Sequence, residues 1–138
     1  MKTIPSERIR KAVADICVKA CLELRPDVLR ALQAAYRKER GEKARDIMRA
    51  IIENASVASA CRYAICQDTG MPVVFAWVGQ DAHIQGDFQS AVTRGIEDGY
   101  QRAYLRNSIV KDPLERGTPG YSPAVTHTGV VRGSRLRL

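Results

Sequence analysis

Apolar residues recur at helical spacing through roughly the first sixty positions and then give way to short β-branched runs separated by turn residues. Ile9, Val13, Ile16, Cys17, Ala20, Cys21 and Leu24 form one stripe, which predicts an amphipathic helix over residues 6–24. Pro5 and Ser6-Glu7 mark its start, and Arg25-Pro26 closes it, because a residue before proline is biased away from the helical region. Val28, Leu29, Leu32 and Ala35 predict a second helix, opened near Asp27 and stopped by basic Arg37-Lys38 and then Gly41. Ala44, Ile47, Ile51 and Ala55 predict a third over residues 43–58, with Arg45 and Arg49 turned to solvent.

The period then changes. Pro72-Val73-Val74-Phe75-Ala76-Trp77-Val78, closed by Gly79, predicts a buried strand. Residues 87–105 return to helical spacing, with Gly95 and Gly99 weakening the helix but permitting close packing. Pro113, Gly117, Pro119 and Gly120 make a turn-rich loop, and residues 124–131 read as another strand. Arg135-Leu136-Arg137-Leu138 alternates like a strand without a closing turn signal. The expected class is α+β, a mixed α/β chain: helices over residues 5–60, then strand–helix–strand over 61–138, incomplete at the carboxyl end.

Composition narrows the function classes. At 138 residues, 45% hydrophobic and 27% charged, the chain fits one folding domain. It contains no apolar run of the roughly 18 to 20 residues that span a bilayer, and no secretory leader pattern, so a cytoplasmic location is expected. The net charge of +7 favours anionic partners: a carboxylate substrate, an acidic protein surface or nucleic acid. Acids are interleaved with most of the basic residues and only 6% of residues are aromatic, so nucleic acid is the least favoured of the three.

Cys17 and Cys21 lie on one helical face and could contribute to a metal site, but they belong to the apolar stripe and lack partners at zinc-site spacing; packing is favoured. The chemically dense segment is Ile65-Cys66-Gln67-Asp68-Thr69-Gly70-Met71-Pro72, a thiol, amide, carboxylate and hydroxyl gathered just before a strand. Cys66 is a candidate metal or cluster ligand and Asp68 a candidate acid, base or substrate contact. An ordinary Asp-Thr-Gly turn explains the same residues equally well.

Cys66-Gln67-Asp68-Thr69-Gly70 before an apolar strand resembles the signature of the class I fumarase and L(+)-tartrate dehydratase family of iron–sulfur hydro-lyases. Gly95-Ile96-Glu97-Asp98-Gly99-Tyr100, Tyr104-Leu105-Arg106-Asn107-Ser108-Ile109-Val110 and Asp112-Pro113-Leu114 resemble further segments of that family, in order and at similar spacing. The resemblance is strong over residues 65–114, weaker over the first three helices and intermediate from Ser122-Pro123-Ala124-Val125 onward.

The resemblance implies a four-iron, four-sulfur (4Fe-4S) cluster held by three cysteines, of which Cys66 matches one, with an open iron that polarises the departing hydroxyl. Gln67 and Asp68 match positions beside the substrate, Asp68 also being placed to help manage protons. Arg106 matches a carboxylate-binding arginine, although taken alone it reads as a solvated cation at a helix end. The implied reaction is reversible hydration of a C4 dicarboxylate such as fumarate, with tartrate dehydration as the variant. His127 falls where many relatives carry a strand histidine, for which a structural role is favoured.

Two departures qualify the match. Where the family usually has Asn-Thr-Gly-Asp-Asn-Thr-Pro, this chain has Gly117-Thr118-Pro119-Gly120-Tyr121-Ser122-Pro123. Cys17, Cys21 and Cys61 do not fall at the family's other ligand positions, and one cysteine cannot hold the cluster. The chain is therefore expected to be an amino-terminal, alpha-type fragment, inactive alone. It would need a remaining alpha region and a beta-type subunit, or homo-oligomers, to act. A catalytically inert remnant serving as an interaction module is the alternative.

Overall fold

The computed structural model describes residues 2–110, 112–120 and 124–138. Its order is β1 (Lys2–Pro5), α1 (Ser6–Leu22), α2 (Pro26–Lys38), α3 (Glu42–Cys61), β2 (Val73–Gly79), β3 (Ala82–Gln85), α4 (Phe88–Arg102), β4 (Val125–Val131) and β5 (Leu136–Arg137). This is the mixed α and β architecture the sequence predicts, with two short strands, β1 and β3, added. Of the loop that departs from the family pattern, Tyr121, Ser122 and Pro123 lie outside the described residues. The chain divides into two compact units, Lys19–Gln67 on one hand and Met1–Val18 with Asp68–Leu138 on the other.

The first unit is built on an α-hairpin. Pro26 sits in the first turn of α2, where its missing N–H costs nothing, and Gly41 caps the start of α3. Helix α3 runs to Cys61, past the predicted end, and stops where Arg62 takes a left-handed conformation, with Tyr63 N–H donating back to the Ala58 carbonyl at 3.0 Å. Only Ala55 and Ala58 of α3 are buried, and Ile47 and Ile51, expected on its inner face, are 62% and 44% exposed.

The second unit carries all the strands among the described residues. β2 and β4 pair in parallel, Val73 opposite Val125 and Phe75 opposite His127, and α4 lies in the connection between them, as parallel pairing requires a crossover. β5 adds antiparallel to the other edge of β2, and β1 pairs in parallel with β3. Val74 and Ala76 are buried, whereas Val73 and Phe75 face out at 46% and 53% exposure. The strand predicted as buried is thus covered on one face only. Phe75 stacks on His127 on the open side, ring centroids 5.0 Å apart, and the Arg137 guanidinium lies 4.5 Å from the Trp77 ring centroid. His127 therefore belongs to an exposed aromatic stack.

Ile9, Val13, Ala14 and Val18 of α1 meet the requirement for a buried face, as do Ala91, Val92, Ile96 and Tyr100 of α4. The buried arc of α1 is rotated from the predicted stripe: Ile16 and Ala20 are exposed, and Cys17 is half-buried. The close approach of α4 explains the rotation. An added Cβ at Gly95 would lie 2.6 Å from the Arg10 carbonyl oxygen, and one at Gly99 would lie 2.9 Å from Cys17 Cβ. Glycine removes the side-chain layer, so the backbones come together and the Arg10, Ala14, Cys17 edge turns inward.

Ion pairs flank this seam. Arg10 Nε and Nη2 donate to Asp98 at 2.6 and 2.9 Å, and Arg102 pairs with Asp15 at 2.8 Å. The hydrogen bonds from Arg10, reinforced by its charge and opposed by partial desolvation, hold the Asp98 carboxyl below the usual carboxylate range. A depressed folded-state pKa gives stability that is complete above the unfolded value, about 4. That stability is lost as pH falls through the lower folded value. Asp98→Asn should therefore lower stability at neutral pH and flatten its acid limb, read from urea-unfolding midpoints between about pH 3 and 7.

Candidate active site

Three short segments supply the predicted site residues. In the helical unit, Ile65 N–H donates to the Cys21 carbonyl at 2.9 Å, and Asn54 Nδ2 donates to the Ile65 carbonyl at 2.8 Å. The backbone just before Cys66 is thus anchored on both sides, and Cys66 and Gln67 follow as exposed residues. Cys61 is exposed as well, and the structure forms no disulfide. Among the described residues no three His, Cys, Asp or Glu side chains converge as metal ligands.

In the second unit, Asp68-Thr69-Gly70 leads into β2, and residues 105–108 follow α4. Helix α4 starts at Asp87, whose carboxylate accepts from Ser90 N–H at 2.5 Å. It ends in a Schellman motif: Leu105 N–H reaches the Tyr100 carbonyl at 2.9 Å and Tyr104 N–H the Gln101 carbonyl at 3.3 Å. Tyr104 occupies the left-handed position, φ 52°, usually held by glycine, and its side chain is 96% exposed. Leu105 is buried beyond it and turns the chain so that Arg106, Asn107 and Ser108 lie at the surface.

These two segments are bonded together across 37 to 40 positions of sequence. Thr69 Oγ1 donates to the Arg106 carbonyl at 2.8 Å, Ser108 Oγ donates to Asp68 Oδ1 at 3.2 Å, and the buried Tyr100 hydroxyl donates to the Gly70 carbonyl at 3.1 Å. Gly70 N–H also donates to Asp68 Oδ1 at 3.3 Å, and Gly70 has a φ of 68°, a conformation that suits glycine. The structure thus brings Asp68 and Arg106 into one hydrogen-bonded patch. The Arg106 guanidinium has no hydrogen bond or ion pair among the described residues, so its five donors are available to an anion.

The bonds of Thr69, Tyr100 and Ser108 were not legible in the sequence, because they form between distant segments and two of the three acceptors are backbone carbonyls, which leave no pattern in side-chain types. Asp112 has a local role: its carboxylate accepts from Leu114 and Glu115 N–H at 2.7 and 3.0 Å, bonds that hold its pKa below the usual range.

Comparison with known proteins supports a hydro-lyase-like region. Residues 10–138 match the family model for fumarate hydratase (Fumerase), and the chain belongs to that family. A Methanocaldococcus jannaschii protein provisionally named L(+)-tartrate dehydratase subunit alpha is 32% identical over 111 residues, 79% of this chain and 39% of that protein. Fumarate hydratase 1, mitochondrial, of Leishmania major is 31% identical over 58 residues, 42% of this chain and 11% of that protein. The matched stretch therefore spans about two-fifths of the archaeal relative's length. No helix among the described residues is long and apolar enough to cross a membrane.

Proposed function

We propose that this chain is the amino-terminal, alpha-type portion of a class I fumarate hydratase-like hydro-lyase, acting in the cytoplasm on a C4 dicarboxylate. The observation that carries the proposal is the bonding of the Asp68 loop to the backbone of the Arg106 segment, which brings a carboxylate-bearing and an arginine-bearing stretch together at the surface.

Arg106 would grip one substrate carboxylate through two parallel N–H···O bonds, fixing orientation as well as charge. Asp68 would take or return a proton near the leaving hydroxyl, and Gln67 would donate or accept a hydrogen bond beside it. Cys66 fits the chemistry of a 4Fe-4S cluster ligand: an exposed thiol on an anchored loop. When bound, such a cluster supplies Lewis acidity toward the hydroxyl. One thiol is short of the three cysteines a cluster with one open iron takes, so the donor set fits only in part.

The remaining ligands would come from a further alpha region or from a beta-type subunit. The open aromatic face of β2 and β4 supports that reading, since parallel strands are ordinarily covered on both faces. The name of the archaeal relative, a subunit alpha, fits it as well. The same exposed face, with Ile47 and Ile51 on α3, also favours a second reading, an inert interaction module.

Anaerobic iron–sulfur reconstitution tests both. The chain is treated alone and together with the unmatched part of the M. jannaschii relative and its companion subunit, then assayed for cluster absorbance, fumarate hydration and tartrate dehydration. Cluster and turnover only in the assembly, both lost in Cys66→Ser, are the expected result. Stable association with neither cluster nor turnover would establish the inert module.

A further inference from the structure

Asp68 has two carboxylate oxygens, and the structure uses only one of them. Oδ1 accepts from Ser108 Oγ at 3.2 Å and from Gly70 N–H at 3.3 Å, while Oδ2 has no hydrogen bond or ion pair among the described residues. Ser108 lies 40 positions further along the chain, and its hydroxyl is also 3.4 Å from the Arg106 carbonyl. A single hydroxyl proton is thus held between the two segments that carry Asp68 and Arg106. Two further bonds hold the loop: Thr69 Oγ1 donates to the Arg106 carbonyl at 2.8 Å, and the Tyr100 hydroxyl, on α4, donates to the Gly70 carbonyl at 3.1 Å.

We propose that Ser108 is a positioning residue that locks Asp68 through Oδ1, so that the carboxylate works with Oδ2 alone. The physical reason is rotamer freedom. An exposed aspartate turns about χ1 and χ2 and presents either oxygen, and a hydroxyl fixed to one oxygen removes that degeneracy. A group that transfers a proton gains from this because rate depends steeply on sub-ångström placement. Thr69 and Tyr100 fix the backbone of the loop, and Ser108 alone among them bonds the carboxylate itself. The catalytic value of the lock rests on the hydro-lyase reading of Asp68, whereas the lock itself does not.

The test uses Ser108→Ala and Ser108→Thr, the second retaining the hydroxyl. In the chain alone, three-bond couplings across Asp68 χ1 should report a single rotamer, average over rotamers in Ser108→Ala and return to one in Ser108→Thr, with the Thr69 and Gly70 amides unchanged. In the reconstituted assembly, Ser108→Ala should lower kcat about 10- to 100-fold with KM within about twofold, and Ser108→Thr should restore it. In an Asp68→Asn background the same change should have no further effect on kcat, because Ser108 acts only through that carboxylate.

An Asp68 side chain already averaged over rotamers in the wild type would overturn the proposal, as would a Ser108→Ala chain with the same single rotamer as wild type. An undiminished loss of kcat in the Asp68→Asn background would also overturn it. Release of the Asp68 rotamer by Ser108→Ala, in an assembly that turns over no dicarboxylate, would uphold the lock and reject the hydro-lyase reading.

Discussion

Asp68→Asn is expected to lower kcat of the reconstituted assembly by about 10²- to 10⁴-fold, the range typical for loss of a positioned proton-transfer group. The substitution separates chemistry from structure, because Oδ1 is retained. An asparagine carbonyl still accepts from Ser108 Oγ and Gly70 N–H, so the loop keeps the contacts seen at 3.2 and 3.3 Å. What changes is Oδ2, replaced by an amide that neither carries charge nor accepts a proton. Unfolding midpoints should therefore match wild type within the usual scatter of surface substitutions, about 0.5 kcal/mol. Asp68→Ala removes both functions, the Oδ1 contacts as well as the proton-transferring oxygen. A kcat for Asp68→Asn within tenfold of wild type would remove Asp68 from the proton pathway and leave it as a turn residue, the alternative its Asp-Thr-Gly context allows.

Much of this arrangement can be read from residue order, and the rest cannot for identifiable reasons. The four helices announce themselves through apolar spacing, Pro26 and the stop after Lys38, all of which act within one or two turns of chain. β1 and β3 have four residues each, too few to establish a period, and they exist because they pair with each other 80 positions apart, Lys2 opposite Ala82. The face of α1 was misjudged because its apolar arc is wide, and α4 decides which edge turns inward. The inner face of α3 failed differently: Ile47 and Ile51 have the right spacing but stay 62% and 44% exposed among the described residues. For the proposed site, Cys66, Gln67, Asp68 and Arg106 were picked out by motif, whereas the bond that joins Ser108 to Asp68 depends on tertiary closure.

Gly95→Ala is expected to destabilise the chain by about 1 to 2 kcal/mol, although alanine is the better helix former. The helical gain of alanine over glycine is about 1 kcal/mol. Against it stands overpacking, typically about 1 to 3 kcal/mol. The contacts decide which wins: the new Cβ would sit 2.6 Å from the Arg10 carbonyl oxygen and 2.7 Å from Val13 Cβ. Neither is the far end of a flexible side chain, so α4 must move away from α1, and the cost falls at the upper end of the range. Gly99→Ala should cost less, because its nearest contacts are 2.9 Å to Cys17 Cβ and 3.1 Å to the Ala14 carbonyl. Gly95→Leu should prevent folding, since a branched side chain at this seam would consume much of a stability of about 5 to 15 kcal/mol. The displacement also reaches the site. Tyr100 lies on α4, and its hydroxyl tethers the Gly70 carbonyl, while the Schellman turn that follows aims Arg106. Urea-unfolding midpoints should rank wild type above Gly99→Ala above Gly95→Ala, and amide mobility at Gly70 should rise in the same order. A Gly95→Ala chain more stable than wild type would mean that helix propensity outweighs the seam, and that α1 and α4 are not held at the backbone contact on which the position of Arg106 depends.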